Sequence, residues 1–239
     1  MKPNDLIQKT AEVENLDYEG RDRLPVDILC QSALENRVFE DETFLRSFLI
    51  LYRNVAEMHE NRAKLMICGN GGSFADAQHI AGELSKSFEM KRRSDFRVRE
   101  ELRNLPNGPL IADALEEGIP VHVLGLNSSL TSAISNDFEA PAMEYAQELF
   151  VFGREHDVFL GISTSGNARN VCNACLTAGA MGVFTIGFTG PCGGKLADIS
   201  ELCVRVPGKS TREIQEHQQP VYHIFCRMVE ARFWKESCL

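Results

Sequence analysis

Residues 64–87 read KLMICGNGGSFADAQHIAGELSKS, and the rest of the chain is organised around them. Leu65-Met66-Ile67-Cys68 is an apolar run short enough for one buried strand. In Gly69-Asn70-Gly71-Gly72-Ser73, which follows, no side chain is larger than asparagine. A helix is then expected, with Ser73 as its N-cap and Asp76 in the capping-box position. Strand, glycine loop and helix start together aim backbone N–H groups at an anion such as phosphate. The loop is neither a Walker loop, since no Gly-Lys-Ser/Thr closes it, nor a GxGxxG fingerprint. His79 and Glu83, spaced i,i+4, project from one face of that helix. Such a pair beyond a phosphate cradle serves proton transfer, metal binding or both. A turn followed by a surface His–Glu pair reads the same locally.

Composition narrows the classes. The chain has 239 residues, of which 44% are apolar, as one domain of ordinary size requires. No apolar stretch reaches membrane-spanning length, and the polar N-terminal stretch carries no secretion signal. A net charge of −9 argues against general nucleic-acid binding. The eight cysteines lie mostly in apolar runs, which suits a reducing cytoplasm. Cys172-x-x-Cys175 falls inside a predicted helix with no second such pair, so it reads as two helix residues without chemistry.

Residues 1 to about 23 are expected to be a loosely held polar extension. Apolar residues from Ile28 to Met58 recur at helical spacing, giving one or two long helices broken near Asn36 to Glu42. That hairpin serves either oligomer contacts or core packing. Within 88–118, Lys91, Arg92, Arg93, Arg97, Arg99 and Arg103 read as a solvated face, and Pro106-Asn107-Gly108-Pro109 as a loop. Further strands are expected at 121–125, 157–162, 183–188 and 202–206, with a helix over 129–152 between the first two of them. Strands alternating with helices imply a doubly wound parallel sheet, an α/β fold. The loops Gly69–Ser73 and Ser163-Thr164-Ser165-Gly166-Asn167 both follow strands, where such sheets bind ligands. The final helix, from about Ser210 to Trp234, carries Gln215 and His223 on one side, and Pro220 between them should kink it.

At this point the chain resembles the sugar isomerase (SIS) domain family, and within it the phosphoheptose isomerases. The resemblance rests on CGNGGSFADAQHIAGEL (68–84), Asn136-Asp137, GISTSGNARNV (161–171), GGKLAD (193–198), and Ile214-Gln215-Glu216 with His223. It implies a five-stranded parallel sheet of flavodoxin-like type over 61–239, preceded by an N-terminal helical extension over 1–60. It also implies a homotetramer with sites between subunits. The substrate, a sugar phosphate such as sedoheptulose 7-phosphate, would meet Asn70, Gly71, Gly72, Ser73, Asn136, Asp137, Ser163, Thr164, Ser165 and Gln215. Glu83 and His223 would be the catalytic pair, and one zinc would be held by His79, Glu83, Gln215 and His223. The product would be a heptose phosphate for lipopolysaccharide or capsule, made in the cytoplasm with neither membrane nor nucleic acid involved. The chain departs from the family at Ala168, at Thr211-Arg212-Glu213, at Pro220 and in the longer 88–118 connection. A non-catalytic relative, binding phosphosugar or a replication initiator, is the competing reading. Retention of both Glu83 and His223 favours the enzyme.

Overall fold

The computed structural model describes residues 3–17 and 20–234. Cys238 and residues 1, 2, 18 and 19 of the expected extension lie outside the described residues. Strands β1 (Leu65–Cys68), β2 (Val121–Val123), β3 (Val158–Ser163), β4 (Phe184–Thr189) and β5 (Leu202–Arg205) form one sheet. Its order is β2-β1-β3-β4-β5 and every pairing is parallel, as expected of the doubly wound class. Strand residues alternate between two cores. Leu65 and Ile67 enter the larger one, with residues of α2 (Arg23–Ala33), α3 (Glu42–Glu60), α4 (Gly72–Ser85) and α11 (Thr211–Trp234). Met66 and Cys68 enter the other, with α8 (Glu144–Phe152) and α9 (Arg169–Ala180). That is why β1 is apolar throughout rather than alternating. The chain order reverses between β1 and β3, so the loops after these strands flank the switch point.

The N-terminal stretch is not loosely held. Helix α1 (Pro3–Val13) buries Leu6, Ile7 and Ala11 in the larger core, and Glu14 takes an ion pair from Arg46 at 2.6 Å. Local polarity concealed one apolar stripe. The expected break between α2 and α3 is present: Asn36 caps a short 3-10 turn and Asp41 caps α3 by accepting from the Phe44 N–H.

The helix expected over 129–152 is instead two, α7 (Ser128–Asp137) and α8. Pro141, which has no N–H to donate, and Ala142 at φ +62° stand in the gap. Within 88–118 lie α5 (Phe96–Arg103) and α6 (Gly108–Ala114), so the Pro/Gly cluster turns straight into a helix with Pro109 in its first turn.

Nor is the basic run wholly solvated, because Arg92 is buried. Its Nε donates to Glu230 of α11 at 2.9 Å, and its Nη atoms donate to the carbonyls of Leu84 and Glu83 at the end of α4. Helix α11 runs as one element through Pro220. No helix among the described residues is long and apolar enough to cross a membrane.

Candidate active site

Gly71, at φ +54°, caps α4 with no side-chain bond, so Ser73 is not the N-cap but a buried residue of the first turn. The glycine takes the chain into the helix two residues earlier than a serine cap would. Asp76 therefore forms no capping box and instead accepts from the Tyr222 hydroxyl at 3.3 Å. Asn70 is fixed by a reciprocal amide pair with Asn170 of α9, at 2.8 and 2.9 Å, and by the Tyr145 hydroxyl. Gly72 packs directly under the Gln215 side chain: a Cβ there would stand 2.3 Å from the amide nitrogen. Gln215 thereby lies over the mouth of the glycine loop.

The serine loop closes on itself. Gly166 donates to the Ser163 carbonyl at 3.0 Å, and Asn167 N–H to Ser165 Oγ at 3.2 Å. Gly166 sits at φ +66°, and a Cβ on it would be 1.7 Å from the Gly193 carbonyl. Ser163 is buried, Thr164 half-buried and Ser165 exposed, so the hydroxyls rise from the sheet toward the solvent-facing opening. Ala168, where the resemblance called for another hydroxyl, opens α9 without a side-chain cap.

Helices α4 and α11 cross beside these loops and bring His79, Glu83 and His223 together. Their ligand atoms lie within 4.8 Å of one another. His79 Nε2 is 2.9 Å and His223 Nε2 3.3 Å from Glu83 Oε1. Neither approach has hydrogen-bond alignment, and both His223 Nε2 and Glu83 Oε2 are buried without a partner. His79 Nδ1 lies 3.0 Å from the Tyr222 hydroxyl, which itself donates to Asp76. The tyrosine hydroxyl thus ties the His79 ring to Asp76, and Nε2 is the ring atom turned toward the Glu83 carboxylate. A proton or a cation between that nitrogen and Oε1 would satisfy both atoms.

Burial raises the pKa of Asp76, offset in part by the Tyr222 bond, and raises that of Tyr222 itself. Burial, with the charge of Glu83 next, pushes the Cys226 thiol well up. Cys226 and Glu83 are buried, whereas His79 and His223 remain partly open to solvent. His223 also lines a cavity of 760 Å³ walled by Asn36, Arg37, His217 and Pro220. Asn136 and Asp137 do not share it: they pair with each other at 2.8 Å in an exposed depression beside Ser128 and Ser132. Cys172 and Cys175 are buried α9 residues with raised pKa values, as inert helix thiols should be.

Tyr222, Asn170 and Tyr145 were missed by sequence reasoning. For Tyr222 a signal existed, since it stands seven residues after Gln215 and so on the same helical face.

A scan against protein-family models found no match. The phosphoheptose isomerase of Aneurinibacillus thermoaerophilus, however, is 33% identical over 204 residues, 85% of this chain and 90% of its own length. That is decisive. The chain belongs to the phosphoheptose isomerase family. The phosphoheptose isomerase of Roseiflexus sp. strain RS-1 is 35% identical over 195 residues, covering 82% of this chain and 86% of its own. The solved phosphoheptose isomerase of Neisseria gonorrhoeae superposes with TM-score 0.62 at 26% identity, covering 83% of this chain and 92% of that one. Membership in the phosphoheptose isomerase family makes the protein an aldose–ketose isomerase of the SIS fold.

Proposed function

We propose that the protein interconverts sedoheptulose 7-phosphate and D-glycero-D-manno-heptose 7-phosphate, with Glu83 and His223 as its acid–base pair. The observation that carries the reading is the convergence of Glu83, His79 and His223 from α4 and α11 beside two donor-rich loops. The forward reaction moves a proton from C1 to C2 while the carbonyl passes from C2 to C1 through an enediol. Glu83 takes the C1 proton and returns it to C2. His223 moves the hydroxyl proton from O1 to O2, so both carbon and oxygen protons balance.

Ser163, Thr164 and Ser165 hold the phosphate together with N–H groups of the loop Asn70, Gly71, Gly72 and Ser73. Neutral donors suit a dianion inside a protein of net charge −9. Fixing that tail places the reacting carbons against Glu83, a contribution of several kcal/mol for well-oriented groups. Gln215, over the glycine loop, meets the sugar hydroxyls. Asn136 and Asp137, in their separate depression, bind substrate across a subunit boundary in the homotetramer we propose. The exposed apolar residues Leu110, Ile111, Phe150 and Val151 support such an assembly.

The same donors fit zinc. Tetrahedral nitrogen and oxygen ligands at about 2.0–2.2 Å from zinc stand roughly 3.4 Å apart. Glu83 Oε1 lies 2.9 and 3.3 Å from the two imidazoles, and a cation among them would give the unpartnered His223 nitrogen a partner. His79, Glu83, Gln215 and His223 would hold the ion. Bound there, zinc would act as a Lewis acid on the sugar's carbonyl and hydroxyl oxygens.

The reaction serves envelope heptose synthesis in the cytoplasm. Seven cysteines free of disulfides among the described residues support a reducing compartment. The regulatory reading is not favoured, since the curated relatives named above are isomerases. Incubation with sedoheptulose 7-phosphate, with and without a chelator, tests the assignment. Aldoheptose phosphate formed, and lost on chelation, is expected; binding without product would overturn it.

A further inference from the structure

Outside the site, cationic side chains concentrate in one cleft. It has a volume of 890 Å³, lies between residues 91–94, α5 and α6, and is lined by Lys91, Arg93, Ser94, Arg99, Arg103 and Glu116. Arg103 is matched by Asp113 at 2.7 Å, and Glu116 accepts from Ser87. Among the described residues, Lys91, Arg93 and Arg99 have no carboxylate within ion-pair distance. Two donors in the cleft are buried without a partner. One is the hydroxyl of Ser94, a residue only 9% exposed, and the other is Arg99 Nε. Three cations without ion-pair partners, set against the single free carboxylate of Glu116, and two orphaned donors lining one concavity describe an anion site.

We propose that this cleft binds the phosphate group of a small soluble molecule, at a place separate from the sugar-phosphate site. Guanidinium forks from Arg93 and Arg99 match phosphate oxygens in pairs, and Lys91 adds a point charge. The concave shape admits a compact anion. An extended polyanion such as nucleic acid would instead meet the field of a protein carrying −9. The cleft also adjoins the catalytic scaffold, since Arg92 lies between Lys91 and Arg93 in sequence. Its guanidinium joins the Glu83 and Leu84 carbonyls of α4 to Glu230 of α11. Occupancy of the cleft therefore bears on the residue that ties both site helices together.

Isothermal titration with inorganic phosphate at low ionic strength tests this, comparing the full chain with Arg93→Gln/Arg99→Gln. We expect the double variant to bind one phosphate fewer per chain than the wild type, or that site at least tenfold more weakly. Its kcat and KM without added phosphate should be unchanged, and Arg93→Lys/Arg99→Lys should recover part of the binding. Should the serine loop not hold phosphate, the wild type would bind one and the double variant none, which still supports the cleft. Identical isotherms for the wild type and the glutamine variant would overturn the proposal. So would a response to short duplex DNA that depends on Arg93 and Arg99 when phosphate binding does not.

Discussion

Arg92→Met should destabilise the protein severely although it lies outside the site. Arg92 and Glu230 form an ion pair at 2.9 Å with both side chains fully buried. The substitution removes that bond and the two donated to the Leu84 and Glu83 carbonyls at 2.6 and 3.0 Å. Removing one partner of a buried pair costs about 3–5 kcal/mol, because the other charge is left uncompensated. Glu230 would not be stripped bare, since it still accepts from the N–H groups of Phe88, Glu89 and Met90. Methionine also keeps some packing against Trp234, over whose ring the guanidinium now lies at 4.3 Å. Both facts place the loss near the lower end, about 3 kcal/mol. For a chain of this size that is roughly 6–12 °C in Tm, readable by calorimetry or by urea unfolding at constant slope. Arg92→Lys, which keeps the charge but not the fork, should recover part of it. A Tm shift below about 2 °C for Arg92→Met would refute the clamp.

Tyr222→Phe removes the hydroxyl between His79 and Asp76. Zinc affinity, by chelator competition, should fall about 10–100-fold with Tm little changed, and unchanged affinity would deny tyrosine that role. Gly166→Ala adds a Cβ where the Gly193 carbonyl stands 1.7 Å away. Its KM for the sugar phosphate should rise at least ~10-fold as the serine loop is displaced, with kcat less affected; a wild-type KM would show that the loop tolerates rearrangement.

Much of this architecture was legible because its signals are local. Four-residue apolar runs, glycine and serine loops at strand ends, and the i,i+4 spacing of His79 and Glu83 all depend on neighbours in sequence. What failed depends on distance or on backbone dihedral. The charge run around Arg92 reads as solvated until Glu230, 138 residues further on, is placed beside it. Ser73 has the composition of a cap, but a left-handed Gly71 starts the helix earlier. One apolar stripe over 129–152 hid the break at Pro141. Tyr222 acquires a role only once α4 and α11 cross, and nothing local announces that angle.

Glu83 as the base for the carbon proton is the central element of the proposed chemistry. The most direct measurement is deuterium incorporation at the substrate carbons in D2O by Glu83→Gln, with phosphosugar binding followed in the same samples. Exchange and turnover should both fall by about 10²–10⁴-fold while the sugar phosphate still binds. Exchange at near wild-type rate would contradict the assignment and move the proton chemistry to another residue.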